Sequence, residues 1–324
     1  MKSPKVSFIV IAFNEEQRIA TTLSSIIAQK TSIDFEVIVV NDGSKDNTAE
    51  VARNYLATFK RFNVIDKKVN VGRGSARLLG SLEAAGELLA FIDSDVELSR
   101  NWLEETAASL ETGADAVSGI AVPDGDCVVV GRISKLKPKV RPGSAKLTGN
   151  NLLIKKLVLD SVTFQQIPYG DDIRLAWDLE RKGFVTRRLD NLVVKHSEKK
   201  SYFKTLLWQY QQGKDATLLL IEYRKFRLPD SVWIISFLLP AVALTFQSKF
   251  TFLNSLTFLM ALYIFVVSIV FVSSRFMANL FNWRLYFAVV INLPFMASYL
   301  TGRSIGLIKY LIKQLIKSRV RLGK

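Results

Sequence analysis

Two aspartates one residue apart, Asp93 and Asp95 in "LLAFIDSDVEL", close an apolar run, and Glu97 follows at the same spacing. Carboxylate oxygens are hard ligands, and side chains two apart on a strand share a face. The spacing therefore offers Asp93, Asp95 and Glu97 to one divalent cation, Mg²⁺ or Mn²⁺, whose natural further ligand is a diphosphate. The spelling alone is weak, because Asp124-Gly-Asp126 repeats it inside a Pro-Asp-Gly turn, where Asp bonds its own backbone. Position gives the first pair its weight. Polar residues also close two other apolar runs, Asn14 and Glu15 after "VSFIVIAF" and Asn41 and Asp42 within "FEVIVVND". Asp42 is placed to accept from a base N–H or a ribose hydroxyl; a turn with an N-cap is the plainer reading of "NDGS". Farther along, Asp171-Asp172 opens "DDIRLAWDLERKGF". One of the two serves as a helix cap, and the other is a candidate for deprotonating an attacking hydroxyl. His196, the only histidine, reads as structural or as a third metal contact.

The elements that must position these residues alternate. Strands at "VSFIVIAF", "FEVIVVND", "FNVID" and "LLAFID" are separated by helical patterns over about 15–29, 46–59 and 74–86. Continuous apolar strands between helices imply an α/β fold, a mostly parallel sheet flanked by helices on both faces. Ligands of such sheets sit at the carboxyl ends of the strands, so the three polar ends should converge. "GRGSARLLG" at 72–80 fails the dinucleotide spacing and lies in the third unit, which argues against NAD. Residues 116–131 read as strands around a turn, and the acid-free stretch from there to Lys156 reads as a loop over the site. A helix over about 171–182, a strand at "NLVVKH" and an amphipathic stretch over 202–223 follow.

The chain carries +15, yet the charge is uneven: residues 231–324 hold ten Lys or Arg and no acid, leaving 34 minus 29, or +5, for the first 230. Basic residues that punctuate apolar stretches argue against nucleic acid as a partner, since a nucleic-acid binder gathers them on a soluble face. Three uncharged segments, 231–248, 250–274 and 285–302, approach the length of a membrane span, the middle one most closely. The tail 303–324 sets Lys309, Lys313 and Lys317 against Ile308, Leu311, Ile312, Leu315 and Ile316, the pattern of a basic interfacial helix drawn to anionic lipid. The excess of positive charge places that tail in the cytoplasm. The N-terminus reads as a first strand rather than a leader, and lone Cys127 excludes an internal disulfide. The expected organisation is a catalytic domain over 1–200, an interface segment over 201–230, hydrophobic segments over 231–302 and a basic tail over 303–324.

Five stretches in order, "VSFIVIAFNEE", "EVIVVNDGSKDNT", "NVGRGSARLLGSLEAAGELLAFIDSDVEL", "TGNNLLIKK" and "GDDIRLAWDLERKGF", resemble the family-2 inverting glycosyltransferases of the nucleotide-sugar-binding, Rossmann-like GT-A fold. The resemblance covers residues 5–215 and extends to polyprenyl- and dolichyl-phosphate sugar synthases. It implies that Asn14, Glu15, Asp42, Arg73 and Asp93 hold the nucleotide sugar, UDP- or GDP-linked. It further implies Asp95, with Asp93 and Glu97, as metal contacts, and Asp172 as the base, beside Asp171 where Glu is usual. The basic stretch Arg132, Lys135, Lys137, Lys139 and Arg141 is a candidate for holding an acceptor phosphate. No Arg-Trp follows Gln209 or Gln212, which disfavours processive polysaccharide synthesis. The expectation is a multi-pass enzyme of the cell membrane with a cytoplasmic catalytic domain, moving one sugar to a polyprenyl phosphate or polyprenyl-linked glycan. Polysaccharide synthesis, a nucleotidyltransferase and a non-catalytic membrane scaffold remain as alternatives.

Overall fold

The computed structural model describes residues 4–123, 147–162, 171–197, 202–224 and 283–322. They fall in two compact units, one holding the residues up to Ser197 and the other those from Tyr202 onward. The basic stretch 132–141, the Asp124-Gly-Asp126 turn and the segments 231–248 and 250–274 lie outside the described residues.

The first unit is a three-layer α/β structure. Its strands are β1 (Val6–Ala12), β2 (Phe35–Asn41), β3 (Phe62–Asp66), β4 (Leu88–Asp93), β5 (Val96–Glu97), β6 (Ala116–Pro123), β7 (Asn151–Lys155) and β8 (Thr186–His196). They form one sheet in the order β3-β2-β1-β4-β7-β6-β8-β5. The first four strands are mutually parallel, and β7 enters antiparallel between β4 and β6. The helices of this unit are α1 (Ile19–Ile27), α2 (Thr48–Arg53), α3 (Arg73–Glu83), α4 (Trp102–Glu111), α5 (Lys156–Asp160) and α6 (Asp171–Arg181). β1 is buried at every residue because both its faces are covered. Phe8 and Val10 join Ile19, Leu23, Trp102 and Leu103 in one core; Ile9 and Ile11 join Ala76, Phe91, Leu175 and Leu179 in the other. Burying a side chain of this size contributes about 1.5–3 kcal/mol. α3 reaches the sheet through small residues. Gly80 lies against Ile9 and, at 3.2 Å from where its Cβ would stand, Val40, so any side chain there would push the helix away.

The four parallel strands and the helices between them stand where the apolar runs place them, with shorter helices. α1 begins only at Ile19, because Phe13–Arg18 form the loop that reaches the next strand end. The stretch leading to Lys156 is not all loop: β7 lies within it and pairs with both β4 and β6. α4 had no counterpart in the sequence reading, and β8 is longer than "NLVVKH".

The second unit, as described, consists of α7 (Tyr202–Tyr223) and α8 (Trp283–Leu322). Among the described residues no helix is long and apolar enough to cross a membrane. The segment 285–302, expected as a separate hydrophobic element, is instead the beginning of a 40-residue helix that runs on into the basic tail. Its contacts with α7 pair Leu206 with Ser298, Tyr210 with Gly302 and Lys214 with Gly306, a parallel register. Small residues four apart at 298, 302 and 306 bring the backbones together. A Cβ at Gly302 would strike the carbonyl of Tyr210, one at Gly213 that of Tyr299, and one at Gly306 would lie 2.7 Å from that of Lys214. Gly302→Val is therefore expected to part the two helices at a cost of about 1–3 kcal/mol, the usual range for overpacking. A thermal melt of the detergent-solubilised chain followed by circular dichroism checks this, and an unchanged midpoint would refute the close approach.

Candidate active site

The carboxyl ends of β1, β2 and β4 converge, as the alternating pattern requires. Asp42 N–H donates to Ala12 O at 2.8 Å and Ser94 N–H to Ile11 O at 3.1 Å, stitching the three ends together. The loop after β1 interlocks with the loop after β2. Asn14, held at φ 58°, takes Lys45 N–H on its side-chain oxygen at 2.8 Å and gives its own N–H to Ser44 Oγ at 2.8 Å. Glu15 N–H donates to Thr48 Oγ1 at 2.7 Å. Asn14 thus frames the first strand end chiefly through a left-handed turn that Asn tolerates well.

Asp42 is buried, and its two oxygens each accept a backbone N–H at 2.9 Å, from Val71 and Gly72. Burial raises its pKa against these two hydrogen bonds. Its visible work is to pin the loop leading into α3. Gly43 makes the approach feasible: at φ 76° its missing Cβ would lie 2.7 Å from Asn70 N. Arg73, at the start of α3, lies 3.8 Å from Asp93 and is 44% exposed, so its guanidinium borders both the strand end and solvent.

Asp93 is the last residue of β4, and Ser94 and Asp95 turn the chain into the two-residue β5. The turn breaks the strand period that had grouped Asp93, Asp95 and Glu97. Glu97 sits on β5, where it takes Lys195 Nζ on both oxygens at 3.1 and 3.2 Å. Among the described residues no three His, Cys, Asp or Glu form a metal-holding group. What the turn does bring together is Asp95 and His196, with Nε2 3.2 Å from Oδ1, beside Glu15.

Glu15 records the electrostatics of this corner. Burial first, then the charge of Asp95 and more weakly that of Asp93, push its carboxyl from 4.5 to about 7, against the bidentate grip of Arg18. Burial and the nearby carboxylates thus favour the protonated form of Glu15. A divalent cation would find two donors side by side here, the Asp95 carboxylate and the His196 imidazole, while Asp93 is engaged by Arg77 and Arg73. Such an ion would supply Lewis-acid stabilisation of a leaving diphosphate. A carboxyl protonated more readily folded (about 7) than unfolded (4.5) favours folding at low pH, and that contribution is lost as pH rises from 4.5 to 7. In chelator, the unfolding midpoint is expected to fall across that window in the wild type and to fall less in Glu15→Gln; equal slopes would refute the assignment.

The acid pair opens α6 on the other side of β4. Asp171 is 6% exposed and pairs with Arg77 Nη1. Asp172 is half-buried and accepts its neighbour Ile173's N–H at 2.8 Å. Burial and then the charge of Asp171 raise the pKa of Asp172, while Arg77 and the N–H groups of Ile173 and Gly149 oppose the rise. Gly149 abuts the pair, its absent Cβ 2.9 Å from Asp172 Cβ. The sequence reading missed Arg77. It is 4% exposed on the sheet-facing side of α3, and its Nη2 donates to Asp93 at 2.7 Å. The available signal was its setting: an arginine spaced three and four residues from Gly74, Gly80 and Ser81, all buried, points inward and demands carboxylate partners.

The parallel strands of the sheet thus gather carboxylates at their carboxyl ends, and Arg77 joins them to a second acid pair. The profile of Glycosyl transferase family 2 matches residues 7–165, just under half of the chain, so that part is similar to the glycosyltransferase domains of this family and has a GT-A-like fold. A dolichyl-phosphate beta-glucosyltransferase, ALG5C of Trichomonas vaginalis, is 34% identical over 113 residues, 33% of this chain and 34% of that one. Glycosyltransferase AglE of Haloferax volcanii is 32% identical over 118 residues, 36% and 39% of the two chains. The chain spans about a third of the length of the curated relatives it matches. A mannosyltransferase of Pyrobaculum calidifontis, PcManGT, solved with GDP-Man and Mn²⁺, superposes with a TM-score of 0.66 over 95% of this chain and 88% of that one at 17% identity, which is likeness of fold.

Proposed function

We propose that the protein is an inverting, metal-dependent glycosyltransferase that moves a single sugar from a nucleoside diphosphate sugar to a polyprenyl phosphate or a polyprenyl-linked glycan. The observation that carries this reading is that Arg77 joins two acid groups, Asp93 at the end of β4, next to Asp95, and Asp171 at the start of α6, next to Asp172. The relatives named dolichyl-phosphate glucosyltransferases, and the neighbour of like fold that holds GDP-Man and Mn²⁺, support a lipid-linked acceptor and a nucleotide-sugar donor.

Asp95, Asp93 and His196 are the residues to hold the cation, and Asn14, Glu15, Asp42 and Arg73 line the nucleotide's strand ends. The acceptor oxygen attacks the anomeric carbon from the side of Asp172 while the bond to the diphosphate oxygen breaks on the opposite face. Where the acceptor is a hydroxyl, its proton passes to Asp172; a carboxylate whose pKa is raised toward the working pH is the better base. Arg73 keeps positive charge next to the departing diphosphate.

Attachment to a bilayer belongs to the same proposal. Ile308, Leu311, Ile312 and Ile316 on α8 are at least half exposed, with exposed Lys309 and Lys313 among them. That face, and the acid-free segments before it, suit a chain whose acceptor lies in the membrane, with the catalytic domain on the cytoplasmic side. Membranes containing the full chain, incubated with a panel of labelled UDP- and GDP-sugars and Mn²⁺, are expected to yield one labelled lipid and free nucleoside diphosphate. Release of pyrophosphate would mark a nucleotidyltransferase instead, and turnover of no nucleotide sugar would mark a non-catalytic scaffold.

A further inference from the structure

Arg77 is a charge in a place where charge is costly. It lies on the buried face of α3, 4% exposed. Nη1 pairs with Asp171 and Nη2 donates to Asp93 at 2.7 Å, while Nε has no hydrogen-bond partner among the described residues. The two carboxylates come from different elements: Asp93 closes β4 and Asp171 opens α6. The approach is tight. A Cβ at Gly149, next to β7, would lie 3.2 Å from Arg77 Nη1 and 2.9 Å from Asp172 Cβ, so strand, loop and helix meet at this guanidinium without spare room. Burial works against the guanidinium's charge, and Asp171, Asp93 and Asp172 together more than offset it. A planar fork holds two carboxylates in fixed directions and at a fixed spread; a lysine offers a compact charge without that geometry.

We propose that Arg77 is a positioning residue: its guanidinium ties Asp93, on the side of the leaving diphosphate, to Asp171, and so fixes where the adjacent Asp172 stands relative to the reacting carbon. Asp171 is then the anchor of the acid pair, and Asp172 is its working member. An Asp at 171 suits that task, because its short side chain holds the start of α6 close to Arg77. This inference rests on the transfer reaction proposed above.

The test compares the full chain in detergent as wild type, Arg77→Lys, Asp171→Asn and the double variant. Release of nucleoside diphosphate from the UDP- or GDP-sugar that the wild type uses gives kcat and donor KM. Arg77→Lys is expected to lower kcat on the order of 100-fold with KM changed less than about threefold, the mark of a misplaced rather than an unbound substrate. The double variant is expected to be no slower than the worse single one, because both substitutions break one unit. Thermal unfolding provides a second reading, in which the double variant loses less than the sum of the two single shifts. Assays run well below the lowest melting temperature separate lost positioning from lost fold. A kcat for Arg77→Lys within about threefold of wild type, whatever its melting temperature, overturns the positioning role, as does additivity in both readings. A wild type that releases nucleoside diphosphate from no nucleotide sugar overturns the transfer reading, and the positioning role with it; non-additive unfolding would then show the clamp alone to stand.

Discussion

Asp172→Asn is expected to lower kcat about 10²–10⁴-fold against a hydroxyl acceptor, the usual worth of a positioned general base. The substitution keeps the size of the side chain and leaves an oxygen to accept from the N–H groups of Ile173 and Gly149, so α6 should stay in place. It removes the ability to take a proton. Against an acceptor phosphate, already ionised, the loss should be much smaller, and the ratio of the two losses reports which kind of oxygen attacks. The pH dependence has a fixed sign. With the carboxyl of Asp172 raised by burial and by Asp171, wild-type kcat should climb with pH through that raised value and then level off. The climb should vanish in Asp172→Asn. Asp171→Asn is expected to behave differently, because it strips the buried Arg77 of one partner and so costs stability as well as rate. If Asp172→Asn retained wild-type kcat with both kinds of acceptor, Asp172 would not be the base.

How far the sequence alone reaches can be judged residue by residue. β1, β2 and β4 were legible because a strand covered on both faces must be apolar throughout, and their polar ends were legible because the chain changes character abruptly at Asn14, Asn41 and Asp93. β7 was not. "NLLIK" is short and sits among Gly, Asn and Lys, and it becomes a strand because β4 and β6 each present an unpaired edge to it. α4 could have been found, since Glu104 and Glu105 in its first turn follow an Asn, a pattern that starts helices. Glu97 meets Lys195 for a definite reason. Period-two reasoning holds only along an unbroken strand, and the turn at Ser94 and Asp95 redirects Glu97 to Lys195. Asp42 was found as a residue, but its hydrogen bonds to Val71 and Gly72 depend on a loop that no local pattern reveals. Arg77 needed the opposite inference, from small neighbours to burial and from burial to paired carboxylates.

Asp95→Ala is expected to abolish cation-dependent sugar transfer while the chain stays folded. The loss should be on the order of 10³-fold, since a bound cation stabilises developing charge by several kcal/mol and each 1.36 kcal/mol is tenfold. The fold should survive because Asp95 holds the local chain through its backbone: its carbonyl accepts Ser197 N–H at 2.8 Å, which alanine preserves. Its side chain serves the corner instead, facing His196 and raising the pKa of Glu15. The substitution should thus leave a second trace, independent of turnover. Without the charge of Asp95, Glu15 should titrate lower, and the fall in unfolding midpoint between pH 4.5 and 7 in chelator should flatten. Added Mn²⁺ should raise the melting temperature of the wild type and leave that of Asp95→Ala unmoved. Each result answers a different question. Full activity in Asp95→Ala would remove Asp95 from the metal site, and an unflattened pH slope would detach it from Glu15. An equal Mn²⁺ shift in both proteins would place the cation elsewhere in the chain.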